Sequence, residues 1–123
     1  MNDDVMSLEE QRLEQIKKIL LEHKGKANAI PANKISKMLN IPEDDTVSTT
    51  RGLITKLIVD EGMPIGAYGK GHFYIETAQE LAEYMDYLDQ KILQTTNRKA
   101  IVYSNFEKKY GKIKGKTTKL DDY

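Results

Sequence analysis

The chain has 123 residues, 39% apolar and 31% charged, with no cysteine and a formal net charge of zero. That length suits one domain with appendages, and the missing thiols exclude disulfides, thiolate catalysis and cysteine-based zinc sites. No apolar run nears the roughly 20 residues that span a bilayer, and the acidic start MNDDVMSLEE lacks a signal core, so a cytoplasmic protein without a membrane partner is expected.

Ser7-Leu8-Glu9-Glu10 forms a capping box and predicts a helix from Leu8 to His23 with Leu13, Ile16, Ile19 and Leu20 on its buried stripe. Gly25 is expected to cap its end. Residues 27–30 read as one short strand. Pro31 suits a helix start, and a second helix is expected over Ala32 to Leu39, ended by Asn40-Ile41-Pro42. Ile30, Ile35, Met38, Leu39 and Ile41 would form its buried side. Glu43, Asp44, Asp45 and Thr46 offer N-caps for a third helix over Thr46 to Glu61. Val47, Ile54, Leu57 and Ile58 would bury one side of it. Its free side then carries Ser48, Thr49, Arg51, Thr55 and Lys56, hydroxyls and cations of the kind that bond base edges and phosphates.

Met63 to Ala67 and His72 to Ile75 read as two strands around a Tyr68-Gly69-Lys70-Gly71 turn, with Phe73 in the core. Thr77-Ala78-Gln79-Glu80 is a second capping box. A helix follows from Ala78 to near Lys109, either continuous or broken at Thr95-Thr96-Asn97. Leu81, Met85, Leu88, Ile92, Val102 and Phe106 lie on a heptad seam with Thr95 and Lys99 between them, which predicts a dimerisation face. At 1.5 Å per residue this helix would reach about 45 Å. Residues 1–97 hold 11 Lys+Arg against 16 Asp+Glu, whereas residues 98–123 hold 8 against 3. The basic, Gly-rich stretch from Gly111 is expected to be a flexible tail.

The order helix, short strand, helix, turn, helix, hairpin resembles the winged helix-turn-helix family of phage and prokaryotic type. Residues 30–41, 47–58 and 65–75 carry the resemblance. It implies an α+β, mainly α fold, a winged helix-turn-helix domain over residues 1–76, a long C-terminal helix over 77–110 and a tail over 111–123. It also implies a duplex DNA partner, with the third helix in the major groove and the hairpin on the backbone. Ser48, Thr49, Arg51, Thr55 and Lys56 would then face DNA. Lys70 would meet phosphate, assisted by Tyr68 or His72, and Lys34 and Lys37 would anchor the backbone. Gly69 and Gly71 would permit the tight turn and close approach. The carboxylates of Glu43, Asp44 and Asp45 oppose such docking unless they serve as caps. The expected role is a homodimeric transcriptional regulator or DNA-organising factor, nucleoid-associated if it binds DNA. The alternative is a protein-interaction module without DNA binding. No nucleophile, base and orienter set is present, so neither enzyme activity, metal nor cofactor is expected.

Overall fold

The computed structural model describes residues 5–42 and 47–113. Four helices and one hairpin follow in order: α1 (Leu8–Leu21), a 3₁₀ turn (Lys26–Asn28), α2 (Ala32–Met38), α3 (Ser48–Val59), β1 (Ile65–Tyr68), β2 (Gly71–Tyr74) and α4 (Ala78–Tyr110). The protein is mainly helical, with a two-stranded antiparallel sheet and a long C-terminal helix. None of its described helices is long and apolar enough to cross a membrane. The chain divides into two compact units between Tyr84 and Met85.

In the first unit, α1 starts as its sequence predicts. Ser7 Oγ accepts from the Glu10 N–H at 3.1 Å, and the Glu10 carboxylate accepts from the Ser7 N–H at 3.1 Å. Ile16 and Leu20 are fully buried, with Leu13 and Ile19 packed beside them. The helix stops two residues before His23, with Glu22 at its C-cap. Gly25 instead opens the 3₁₀ turn at φ +87°. The strand expected over residues 27–30 therefore shrinks to one bridged residue, Ile30. Local bonds win over extension here. The Asn28 amide donates to the Lys24 carbonyl at 2.8 Å, and His23 Nδ1 donates to the Asn28 carbonyl at 2.7 Å.

Helix α2 buries Ala32, Ile35 and Ser36. Met38, expected in the core, is 53% exposed, because the buried arc of this short helix centres on Ala32, Ile35 and Ser36. Val47 enters α3 at φ +54° without a side-chain cap, an unusual conformation for a β-branched residue. The expected caps Glu43, Asp44, Asp45 and Thr46 lie outside the described residues. Thr50, Leu53, Ile54 and Leu57 make the buried face of α3. Ile58, expected inside, is 39% exposed, and Val47 is only half-buried. The core arc is thus centred nearer Thr50 and Leu53 than the apolar letters alone suggest. The helix ends at Val59, two residues short of the expected stop.

The hairpin pairs Ile65 with Tyr74 and Tyr68 with Gly71. Ile65, 4% exposed, points into the core cluster. Phe73, 2% exposed, points to the other face of the hairpin, where its ring packs on Gly66 and edge-on to Tyr68 and is buried outside the cluster in which it was expected. The N–H and carbonyl of Ile30 both bond to those of His72 at 2.8 Å, and Tyr74 exchanges bonds with His23 and Gly25. The chain between α1 and α2 is thereby laced along β2. Gly71 makes this possible: it sits at φ +129°, and a Cβ there would collide with the Ile30 backbone. The close approach expected of Gly71 is therefore to its own chain.

Thr77 and Glu80 cap α4 reciprocally, at 3.1 and 3.3 Å. The helix runs through Thr95-Thr96-Asn97 without a break. The Thr95 and Thr96 hydroxyls return to the Lys91 and Ile92 carbonyls at 2.9 Å, which satisfies them inside the helix. No residue of α4 is buried. The tail beyond Ile113 lies outside the described residues.

Candidate nucleic-acid interface

The face named by the sequence is built from α2, α3 and the hairpin. On α2, Lys34 and Lys37 are both exposed, opposite the buried Ala32, Ile35 and Ser36. They therefore stand at the middle of its outward face. On α3, Ser48, Arg51, Gly52, Thr55 and Lys56 are exposed and Thr49 is half-buried. Nothing lies within 4 Å of a Cβ built on Gly52, so the centre of this outward strip is shallow. The Thr55 hydroxyl donates to the Arg51 carbonyl at 3.0 Å, which leaves its lone pairs facing outward as acceptors.

Arg51 and Lys56 do not work as a pair. At about 100° per residue they lie about 140° apart, on opposite flanks of the helix. The Lys56 flank leans on α1, where its ammonium donates to the Glu9 carboxylate at 2.8 Å. That contact raises the Lys56 pKa, chiefly through the hydrogen bond and then the charge of Glu9. The Arg51 flank faces the hairpin, where its charge acts on His72. Burial first, and Arg51 second, hold the His72 imidazole below the ordinary histidine pKa. Its Nδ1 is buried without a hydrogen-bond partner. A neutral, half-buried His72 is poorly placed to meet phosphate as a cation.

The hairpin residues divide in the same way. Lys70 is exposed at the tip. Tyr68 is turned inward: its hydroxyl donates to the Lys26 carbonyl at 3.2 Å, the Lys26 ammonium sits 4.9 Å from its ring centre, and its ring stands edge-on to Phe73. Among the described residues, the ion pairs at this unit's surface are Lys17–Glu61, Lys26–Glu83 and Lys56–Glu9. Lys34, Lys37, Arg51 and Lys70 belong to none of them. Of the ten residues named from sequence, Lys34, Lys37, Arg51 and Lys70 are exposed cations outside the described ion pairs, whereas Lys56 is held by Glu9, Tyr68 by Lys26, and His72 is half-buried.

Two features escape sequence reading. Glu9, 47 residues from Lys56, becomes its counter-ion only through the packing of α1 on α3. An open groove of about 650 Å³ runs between α2 and the start of α3, lined by Asn33, Ser36, Lys37, Asn40, Ile41, Pro42 and Val47. Asn33 was legible as a neighbour of Lys37 on the same exposed side of α2. Among the described residues no three His, Cys, Asp or Glu side chains gather as a metal site. No protein-family model, curated protein or solved structure matches the chain.

Proposed function

We propose that the first unit is a winged helix-turn-helix domain that binds duplex DNA, with α3 entering the major groove and the hairpin tip resting on the backbone. The observation that carries this reading is the open set of cations. Lys34 and Lys37 on α2, Arg51 on α3 and Lys70 at the hairpin tip bracket a strip of Ser48, Gly52 and Thr55, and no described ion pair uses them. Hydroxyls and one arginine on a helix face suit base edges, while lysines beside them suit phosphate. The packing of α2 on α3, the hairpin that follows α3, and the Ile30–His72 bridge that adds a third backbone segment to the sheet support the same arrangement. A transcriptional or DNA-organising role is the corresponding biological reading, and a homodimer through α4 would supply the affinity that four cations alone do not.

Four phosphate contacts give a salt slope of about −3.6. Duplex affinity should then fall about a hundredfold between about 50 and 200 mM salt. Fluorescence anisotropy on random duplex DNA tests this, with Arg51→Glu plus Lys70→Glu as the disabled variant. A salt-independent affinity, or one that the double variant leaves unchanged, overturns the proposal.

A second reading, a protein-docking module, has one observation in its favour. Val59 and Ile58 stand 72% and 39% exposed at the end of α3, which gives the same helix an apolar patch. A partner held there would bind with little salt dependence and would be lost in Val59→Asp.

A further inference from the structure

Helix α4 combines an apolar stripe with a lengthwise separation of charge. Met85, Leu88, Ile92, Val102 and Phe106 fall on one heptad seam. Ile92, Val102 and Phe106 are 64%, 59% and 48% exposed, so no described residue covers the seam there. Residues 78–90 contain Glu80, Glu83, Asp86 and Asp89 and no cation. Residues 91–110 contain Lys91, Arg98, Lys99, Lys108 and Lys109 against Glu107 alone. One rod is thus acidic at its start and basic at its end.

Resting on the reading of α4 as a self-association element, we infer that it pairs with a second copy of this chain in the antiparallel direction. A parallel pair lays the two acidic starts together and the two basic ends together. It also sets Lys99 against Lys99 in the middle of the seam, where like charges repel across a partly dry interface. The antiparallel pair lays each acidic start along the partner's basic end, and the helix dipoles oppose as well.

The apolar positions choose the register. With Asn97 beside the partner's Asn97, Ile92 meets the partner's Val102 and Leu88 meets the partner's Phe106. Thr95 then meets the partner's Lys99, polar against polar. Shifting by one heptad sets Leu88 on the partner's Lys99 and breaks this match. Met85 falls opposite the partner's Lys109 in this register. A parallel in-register pair would also match apolar with apolar, but it sets Lys99 on Lys99, whereas the reversed pair sets Lys99 on Thr95.

The chain lacks cysteine, so a single introduced thiol takes a spin label at one place. In the antiparallel pair, labels on Gln79→Cys stand about 54 Å apart along the axis at 1.5 Å per residue, while labels on Asn97→Cys stand close together. In a parallel pair both sites give short distances, within about 20 Å allowing for an interhelical spacing of about 10 Å. Sedimentation gives the oligomeric state and electron–electron dipolar spectroscopy gives the distances. A dimer with a long distance at 79 and a short one at 97 bears the inference out. A dimer with short distances at both sites overturns the direction while self-association stands. A monomer overturns both. Ile92→Asp with Val102→Asp should convert the dimer to monomer without loss of the first unit's fold.

Discussion

Gly71 and Ile30 meet backbone to backbone, with no room for a Cβ between them. Gly71→Ala should cost at least about 2 kcal/mol, from the positive φ and from the collision together. Gly69→Ala, two residues away with nothing within 4 Å of its Cβ, should be close to neutral. Urea unfolding of the two variants measures the difference, and equal midpoints would contradict the contact.

Glu80 holds the start of α4 against the loop after α1. Its carboxylate accepts from the N–H groups of Lys26 at 2.8 Å, Glu76 at 2.9 Å and Thr77 at 3.3 Å. The Lys26 bond, then the Glu76 bond, draws its pKa below the ordinary value. A lowered folded-state pKa means that the unfolded chain takes up the proton first as pH falls. The stabilisation is therefore complete above the unfolded glutamate pKa of about 4.3 and drains away as pH drops through the folded value. Glu80→Gln should flatten this acid limb of the stability curve, while Thr77→Ala should cost about 1 kcal/mol as a lost cap and leave the limb in place.

His72 should titrate below an ordinary histidine. Its neutral form is favoured in the folded state, so the unfolded chain binds the proton first. Stability then declines as pH falls from about 6.5 toward the lowered folded value, and is flat above that window. Arg51→Gln should raise the His72 pKa by removing the nearby charge, though burial, the larger cause, remains. NMR titration of the imidazole reads both effects. A His72 pKa at or above the ordinary value would remove the argument that Arg51 leans toward the hairpin.

Lys56 is committed to Glu9 at 2.8 Å. Lys56→Gln should consequently leave duplex affinity within about twofold, whereas Arg51→Gln should weaken it. Glu9→Gln releases the ammonium and should steepen the salt slope by about 0.9, the share of one added phosphate contact. An affinity that falls as much for Lys56→Gln as for Arg51→Gln would show that the pair opens on DNA.

Local chemistry was the legible part of this chain. Ser7 with Glu10 and Thr77 with Glu80 announced two helix starts to the residue, because a capping box is written within four positions. The hairpin was legible from Gly69-Lys70-Gly71 between branched and aromatic residues. The phase of α3 was not, because Thr50 is fully buried and a hydroxyl reads as surface. Nor was the pairing of Lys56 with Glu9, or the inward turn of Tyr68 onto Lys26, since both depend on which helix lies beside which. Of the two cations expected on the α3 face, Lys56 thus acquires a counter-ion that only tertiary packing supplies.

The lacing of the chain between α1 and α2 onto β2 has a dynamic consequence. The amides of Gly25, Ile30, His72 and Tyr74 are all donors in it. Lifting the hairpin off therefore frees the preceding loop at the same moment. Those four protons should exchange with solvent deuterium as one cooperative group, and a protease that nicks the loop should loosen the hairpin some forty residues further along the chain.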